Sequence, residues 1–355
     1  MKILVNALSG IGDAIMFTPS LKKLSEDLPE AEIDALVMYK SVQDIYERLP
    51  FVNKILYWNF LSKPKFDSLR FVLGLRGRYN TVINVYPSNR KEYNLISFLT
   101  GAKKRLGVKY LRKDFSNFGF LNNIRITEND LLHNVEENIL LCEALTGKPA
   151  KSIGPLVIEF GENEKKFAED WLAGKKIASD KIVFGFHPGC STLKNHDKRR
   201  WETDKFARLA EQLIEKYNAT VLLFGGPEER NLKEEIISFF DSKEIIAVET
   251  ESLIQTAALM KRCTLFVTND SSLMHVAAAL KLDTVAIIGP TNSNYIRPWQ
   301  TNHKIASLNL ECSPCFYYSP KPLTCSRKDV QFKCIRELDV ETVFRIIGKM
   351  LPAVN

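Results

Sequence analysis

A single carboxylate, Asp13, stands in the glycine-flanked stretch SGIGDA that directly follows the first apolar run, KILV. A strand passing into a helix through such a turn leaves free backbone amides at the helix start. A carboxylate in the first turn is held ionised by those amides and by the helix dipole. Two roles fit Asp13: a helix-capping carboxylate, or a general base facing a ligand cleft. A dinucleotide site fits poorly, because the third fingerprint position is Ile15 rather than glycine and the second strand ends in VMYK, without the acidic residue that holds a ribose.

Three further clusters lie in the second half. HPGCSTLKNHDKRRW (187–201) offers the Ser191 and Thr192 hydroxyls, with Lys198, Arg199 and Arg200 ahead of Trp201. Guanidinium forks and ammonium groups neutralise a diphosphate; a solvated basic loop is the alternative. FGGPEER (224–230) ends a strand with a glycine turn and two carboxylates, Glu228 and Glu229, suited to ribose hydroxyls or a base edge, or else to capping the next helix. TNDSSLMHVAAAL (268–280) is the most informative: Asp270 or Ser271 caps a helix, and Ala277, Ala278 and Ala279 let it sit close to its sheet. Free amides at that helix start form a seat for a phosphate. His275, four residues after Ser271, lies on the same helix face. Thr291 and Asn292, in GPTNSNYIRPW, either close the same pocket or form a plain turn.

The elements that must hold these residues are short apolar runs alternating with amphipathic ones, the pattern of parallel sheets with helical crossovers. Strands are predicted at 2–7, 32–38, 54–58, 81–86 and 104–108, with helices near 13–27, 41–48, 66–76 and 91–100. A second series follows at 182–187, 220–225, 245–248, 264–268 and 284–289, after a helix and linker within 160–181. The expected fold is α/β: two doubly wound units with a ligand cleft between them at the C-terminal ends of the strands.

The 355 residues suit two domains of ordinary size, and the composition, 45% apolar and 26% charged, is that of a globular protein. No apolar run approaches the roughly 18 to 20 residues of a membrane-spanning helix, and ILV after Lys2 is too short for a signal-peptide core; a cytoplasmic location is expected. The net charge of +7 is uneven. Between residues 61 and 113 thirteen Lys and Arg face only Asp67 and Glu92, a local +11 that leaves about −4 elsewhere, so the first domain should meet an anionic partner. A nucleic acid is not that partner, since the segment lacks an RNA-recognition signature. Seven cysteines argue against a disulfide scaffold; Cys312, Cys315, Cys325 and Cys334 crowd together, and only the first pair has zinc-ligand spacing.

Taken in order, SGIGDAIMFTPSLKKL, HPGCSTLKNHDKRRW, LLFGGPEE, VTNDSSLMHVAAAL and the late C-x-x-C resemble the family 9 glycosyltransferases, the ADP-heptose:lipopolysaccharide heptosyltransferases and their relatives. The resemblance implies a GT-B architecture: an acceptor-binding Rossmann-like domain over 1–165, a nucleotide-sugar-binding one over 166–338, facing across a cleft, and a last helix within 339–355 that crosses back to the first domain. It implies an inverting, metal-independent transfer from ADP-heptose, with no other cofactor, to an anionic glycolipid acceptor, with no nucleic-acid partner and with peripheral contact with the cytoplasmic face of the inner membrane. Asp13 matches the catalytic base. Ser191, Thr192, Lys198 and Arg199 match the positions that hold the diphosphate, Glu228 or Glu229 the acidic residue near adenosine, and Asp270, Ser271, Ser272, Met274 and His275 the helix-terminus donors. Gly10, Gly12, Lys104 and Arg105 fall on the acceptor side. Two positions depart from the family pattern: Arg199 replaces a common lysine and keeps its charge, and Ser272 replaces a common glycine, which narrows the approach to the backbone. A relative using another nucleotide sugar on a different cell-surface glycan would share every one of these motifs.

Overall fold

The computed structural model describes residues 1–317 and 322–351, which form two compact units divided between Glu159 and Phe160. In the first, β1 (Lys2–Ala7) passes through the glycine turn into α1 (Ile11–Met16) and α2 (Thr18–Asp27). Then come β2 (Glu32–Val37), α3 (Lys40–Tyr46), β3 (Lys54–Tyr57), α4 (Lys65–Leu73), β4 (Thr81–Asn84), α5 (Lys91–Leu99) and β5 (Lys104–Lys109). Two single 3-10 turns, Phe115–Asn117 and Gly119–Leu121, lead to β6 (Ile124–Thr127) and α6 (Asn134–Thr146). The helix expected over 13–27 is divided at Phe17. Pro19 has no N–H to give to Ile15, and the Thr18 hydroxyl donates to that carbonyl instead, at 2.7 Å.

All six strands are parallel, in the order β3-β2-β1-β4-β5-β6. The order reverses between β1 and β4, and the loops after these two strands are where an open sheet of this kind holds its ligand. A buried amide network fixes α5 to the sheet there. Asn84 Oδ1 accepts from Asn6 Nδ2 at 3.0 Å and from the Ser97 hydroxyl at 2.8 Å, and Asn122 Nδ2 donates to Asn94 Oδ1 at 2.7 Å.

Helix α6 carries an unusual buried acid. Glu137 accepts the Asn129 N–H at 2.6 Å through one oxygen, while the other is buried without a partner among the described residues. Burial pushes its carboxyl up to about 7 against the Asn129 bond, with Glu128 adding to the rise. The unfolded chain ionises this group near pH 4.5 and the folded one near 7, so its contribution to stability is fully present below that range and is lost as pH rises through it. Glu137→Gln, which copies the neutral acid, should therefore stabilise the protein at pH 8 by roughly 1–2 kcal/mol and do little at pH 4.5. Melting curves at the two pH values check this; equal effects at both would remove Glu137 as the cause.

The second unit repeats the scheme: α7 (Glu162–Gly174), β7 (Val183–His187), α8 (Thr203–Tyr217), β8 (Thr220–Leu223), α9 (Arg230–Ser238), β9 (Ile245–Ala247), α10 (Leu253–Met260), β10 (Leu265–Asn269), α11 (Ser272–Ala279) and β11 (Asp283–Ile287). It closes with α12 (Ser293–Ile296), β12 (His303–Ala306), α13 (Lys333–Arg336) and α14 (Val340–Met350). Its parallel sheet runs β12-β11-β10-β7-β8-β9, with the reversal between β10 and β7. Phe184 and Phe186 of β7, Val267 of β10 and Val285 of β11 bury against α8 and α14. The boundary thus falls a few residues before the expected 165. Val340, Val343 and Ile347, on the helix assigned from sequence to a crossing back, lie in the second unit's core beside Leu209 and Leu213. Residues 352–355 of that segment lie outside the described residues.

Two strands, β6 and β12, are absent from the sequence-based series. Each is a sheet edge of four residues: β6 alternates half-buried and exposed side chains and β12 fully buries only Ala306, so neither shows a strong apolar run. Among the described residues no helix is long and apolar enough to cross a membrane.

Candidate functional site

In the first unit Asp13 lies in the first turn of α1, just past the end of β1 and beside the strand-order reversal. Its Oδ2 accepts the Gly10 N–H at 2.9 Å, so the capping role expected for it is present. Gly10 has ordinary backbone angles and room for a Cβ, so the turn itself does not demand glycine there; Gly12 is buried within α1. Tyr39, Tyr46 and Tyr93 lie within reach of the Asp13 charge. The Tyr46 hydroxyl donates to Ala14 O at 2.9 Å and that of Tyr93 to Leu8 O at 2.7 Å. Burial first, and then the Asp13 charge, hold Tyr46 well above the usual phenol range; burial likewise raises Tyr39 and Tyr93, where Arg90 opposes the rise and Asp13 adds to it. Asp13 itself is half-buried.

A cation that no motif singled out, Arg90, lies near Tyr39 and Tyr93. It precedes α5 in the loop after β4, with its guanidinium 5.9 Å from the Tyr93 ring centroid. Its only sequence signal is a cation shortly after a strand that borders β1. Lys104 and Arg105, named from sequence for the acceptor, need correction. They open β5, whose Lys104 is in register with Thr81 and thereby with Ile3, at the end of the sheet away from Asp13. The Arg105 guanidinium is engaged by Ala102 O at 2.6 Å and Leu121 O at 2.8 Å, which ties the 3-10 turns to the sheet.

The second unit gathers its motifs at the ends of β7 and β10. Asn269 joins the two loops, accepting the Trp201 N–H at 3.0 Å and donating to Pro188 O at 2.7 Å. Trp201 is buried and gives its indole N–H to Leu338 O at 2.8 Å, so it anchors the basic loop and does not meet a ligand. Ser271 holds the N-cap position of α11, yet its hydroxyl makes no cap bond. It turns inward to His187 Nδ1 at 2.7 Å and lies 3.0 Å from the Thr268 hydroxyl. The first-turn amides of α11 are therefore left uncapped by this side chain, which suits an incoming anion.

Behind Ser271, His187 Nε2 pairs with Glu229 Oε2 at 3.0 Å, both groups buried. Burial works to raise the Glu229 carboxyl, but the His187 charge and bond, together with the Gly226 N–H, outweigh it and leave the group below its usual range. The Glu229 side chain fills the space a Cβ on Gly189 would need, and Gly225 bends the strand end with φ +152°. Of the two acidic candidates, Glu229 is thus an internal brace of the Ser271 turn; Glu228 is the exposed one.

Asp270 accepts from Arg199 Nη1 and from the Thr291 hydroxyl at 2.6 Å, a buried triad that closes the basic loop onto α11. Arg199 also lies over the Phe316 ring at 5.7 Å. The sequence suggests a free guanidinium fork here; the structure spends it on Asp270. Lys198 remains exposed, 3.6 Å from Asp197, and Ser191 and Thr192 are exposed with the Ser191 hydroxyl accepting the Leu193 N–H at 3.3 Å. Asn292 caps the short α12 through Asn294 N at 3.1 Å. On α11, Ser272 is half-buried, Met274 is packed in the core, and His275 is buried with Nδ1 unpartnered among the described residues. Burial, opposed by Asp270, lowers the His275 ring to about 4, so it is neutral at pH 7.

Among the described residues no group of three or more His, Cys, Asp or Glu side chains is placed to hold a metal. Cys312 and Cys315 are exposed, Cys325 is half-buried and Cys334 is buried, all as free thiols.

Known proteins carry the same framework. The chain is 26% identical over 99% of its length, and 99% of the relative's, to lipooligosaccharide heptosyltransferase 2 of Campylobacter jejuni subsp. jejuni serotype O:6. It is 28% identical to lipopolysaccharide heptosyltransferase 2 of Escherichia coli K12, covering 87% of this chain and 88% of that one. The solved structure of E. coli ADP-heptose lps heptosyltransferase II matches with a TM-score of 0.73 at 23% identity, covering 99% and 98% of the two chains, and this likeness gives the fold as GT-B. The family model described as glycosyltransferase family 9 (heptosyltransferase) matches residues 69–323, most of the chain and all of the second-unit cluster from His187 to Asn292; with its two Rossmann-like units, the chain belongs to that family of glycosyltransferases.

Proposed function

We propose that this glycosyltransferase moves heptose from ADP-heptose onto a hydroxyl of an anionic lipopolysaccharide inner-core acceptor at the cytoplasmic face of the membrane. The observation that carries the reading is the start of α11: the Ser271 hydroxyl is paired with His187 Nδ1 instead of capping its own helix, and the helix amides are left for a diphosphate. The relatives named as heptosyltransferases support the choice of sugar.

The chemistry follows from the residues. Asp13 takes the proton of the acceptor hydroxyl as its oxygen bonds to the anomeric carbon. The bond from that carbon to the phosphate oxygen breaks, and ADP leaves with the electron pair from the opposite face, so the anomeric configuration inverts. The departing diphosphate needs charge stabilisation rather than a proton. The α11 amides and the exposed Lys198 supply it without a metal, while Arg199, already paired with Asp270, holds the seat in shape. Exposed Glu228 is the acidic residue left to meet the adenosine.

The test is a panel of sugar nucleotides, each incubated with and without a lipid A–Kdo acceptor and with a chelator arm, reading release of nucleoside diphosphate. ADP-heptose should be turned over fastest, only with acceptor, and equally with chelator. Faster turnover of a hexose nucleotide would move the assignment to another cell-surface glycan.

A further inference from the structure

We infer that the outer surface of α4, α5 and the two 3-10 turns docks on an anionic lipid bilayer. On α4, Phe66, Leu69 and Leu73 follow one another at helical spacing and all face water, Phe66 with 75% of its surface exposed. The opposite side of the same helix is the one that packs inward: Val72 is buried, and the Phe71 ring stacks on Trp58 at 4.4 Å. Helix α4 is thus apolar on two sides, and only one is used by the core. Helix α5 packs beside it and exposes Phe98; the 3-10 turns pack on α5 and expose Phe115, at 81%, and Phe120, whose rings lie 5.2 Å apart. Large exposed apolar side chains gathered on neighbouring elements mark an interaction surface.

The charge on the same elements names the occupant. Lys65, Arg70, Lys91 and Lys113 are exposed among these side chains, and among the described residues none makes an ion pair. They belong to the segment 61–113, where thirteen cations face two carboxylates. A second copy of the chain would bring the same cations against themselves. An anionic headgroup layer attracts them and admits the phenylalanines beneath it, as with amphipathic surfaces that lie in a membrane interface.

The experiment is flotation of the full chain with vesicles of phosphatidylcholine alone or mixed with phosphatidylglycerol. The vesicles carry no glycolipid acceptor, so the outcome is independent of which sugar the enzyme transfers. The protein should float with the mixed vesicles and not with the neutral ones. Phe66→Ser with Phe115→Ser should weaken partitioning by about 10-fold, and Lys65→Glu with Arg70→Glu by a similar factor through charge alone, which keeps the test open if the first variant misfolds. Melting temperature serves as the folding control. Equal flotation with both vesicle types, flotation unchanged in both variants, or a concentration-dependent dimer that the Phe variant abolishes while vesicles are ignored, would each overturn the inference.

Discussion

Asp13→Asn is expected to lower turnover by about 10²- to 10⁴-fold, the range for loss of a general base, while donor affinity stays near the wild-type value. The asparagine keeps an oxygen for the Gly10 N–H, which Asp13 accepts at 2.9 Å, so the α1 start survives and only the proton acceptor is lost. Asp13→Ala removes both the cap and the base and should add a melting-temperature loss that Asp13→Asn does not show. Steady-state rates with calorimetric donor binding check this. A variant with wild-type turnover would leave Asp13 as a cap and nothing more.

Asp270→Ala should be the most destabilising change in the cluster at the ends of β7 and β10. It leaves the Arg199 guanidinium buried with its charge unanswered and strips the Thr291 hydroxyl of its acceptor. Breaking a buried ion pair from one side costs about 3–5 kcal/mol, which for a unit of this size is a melting shift on the order of 10 °C. Adding Arg199→Met should recover a good part of the loss, because removing both charges avoids the unpaired ion. Thermal melts of the two single variants and the double one decide it. A double variant that loses the sum of the singles would show that the two residues do not act as a pair.

Much of this was legible in the sequence, and the parts that were not have physical reasons. The apolar runs KILV, IVFGFH and TLFVT read as strands because central parallel strands are buried on both faces, and β1, β7 and β10 lie where they predict. The edge strands β6 and β12 keep most of their side chains at least partly exposed and left no such run. The NDSS stretch gave the helix start correctly, since small polar residues before an apolar run announce an N-cap. What a one-dimensional pattern does not carry is the direction of a side chain. Ser271 turns away from its own helix, Glu229 points into the space over Gly189, and Arg199 folds onto Asp270, because their partners come from strands far apart in sequence. Lys104 and Arg105 show the same limit: net charge located the basic segment but not which end of β5 it marks.

The most direct measurement of the central claim is the anomeric configuration of the transferred sugar, read by NMR of the product made from ADP-heptose and a lipid A–Kdo acceptor. With one carboxylate taking the proton and the diphosphate leaving from the far face, the new linkage must have the configuration opposite to that of the donor. A product with the donor's configuration would contradict the account, since it requires a second displacement for which Asp13 alone provides no path.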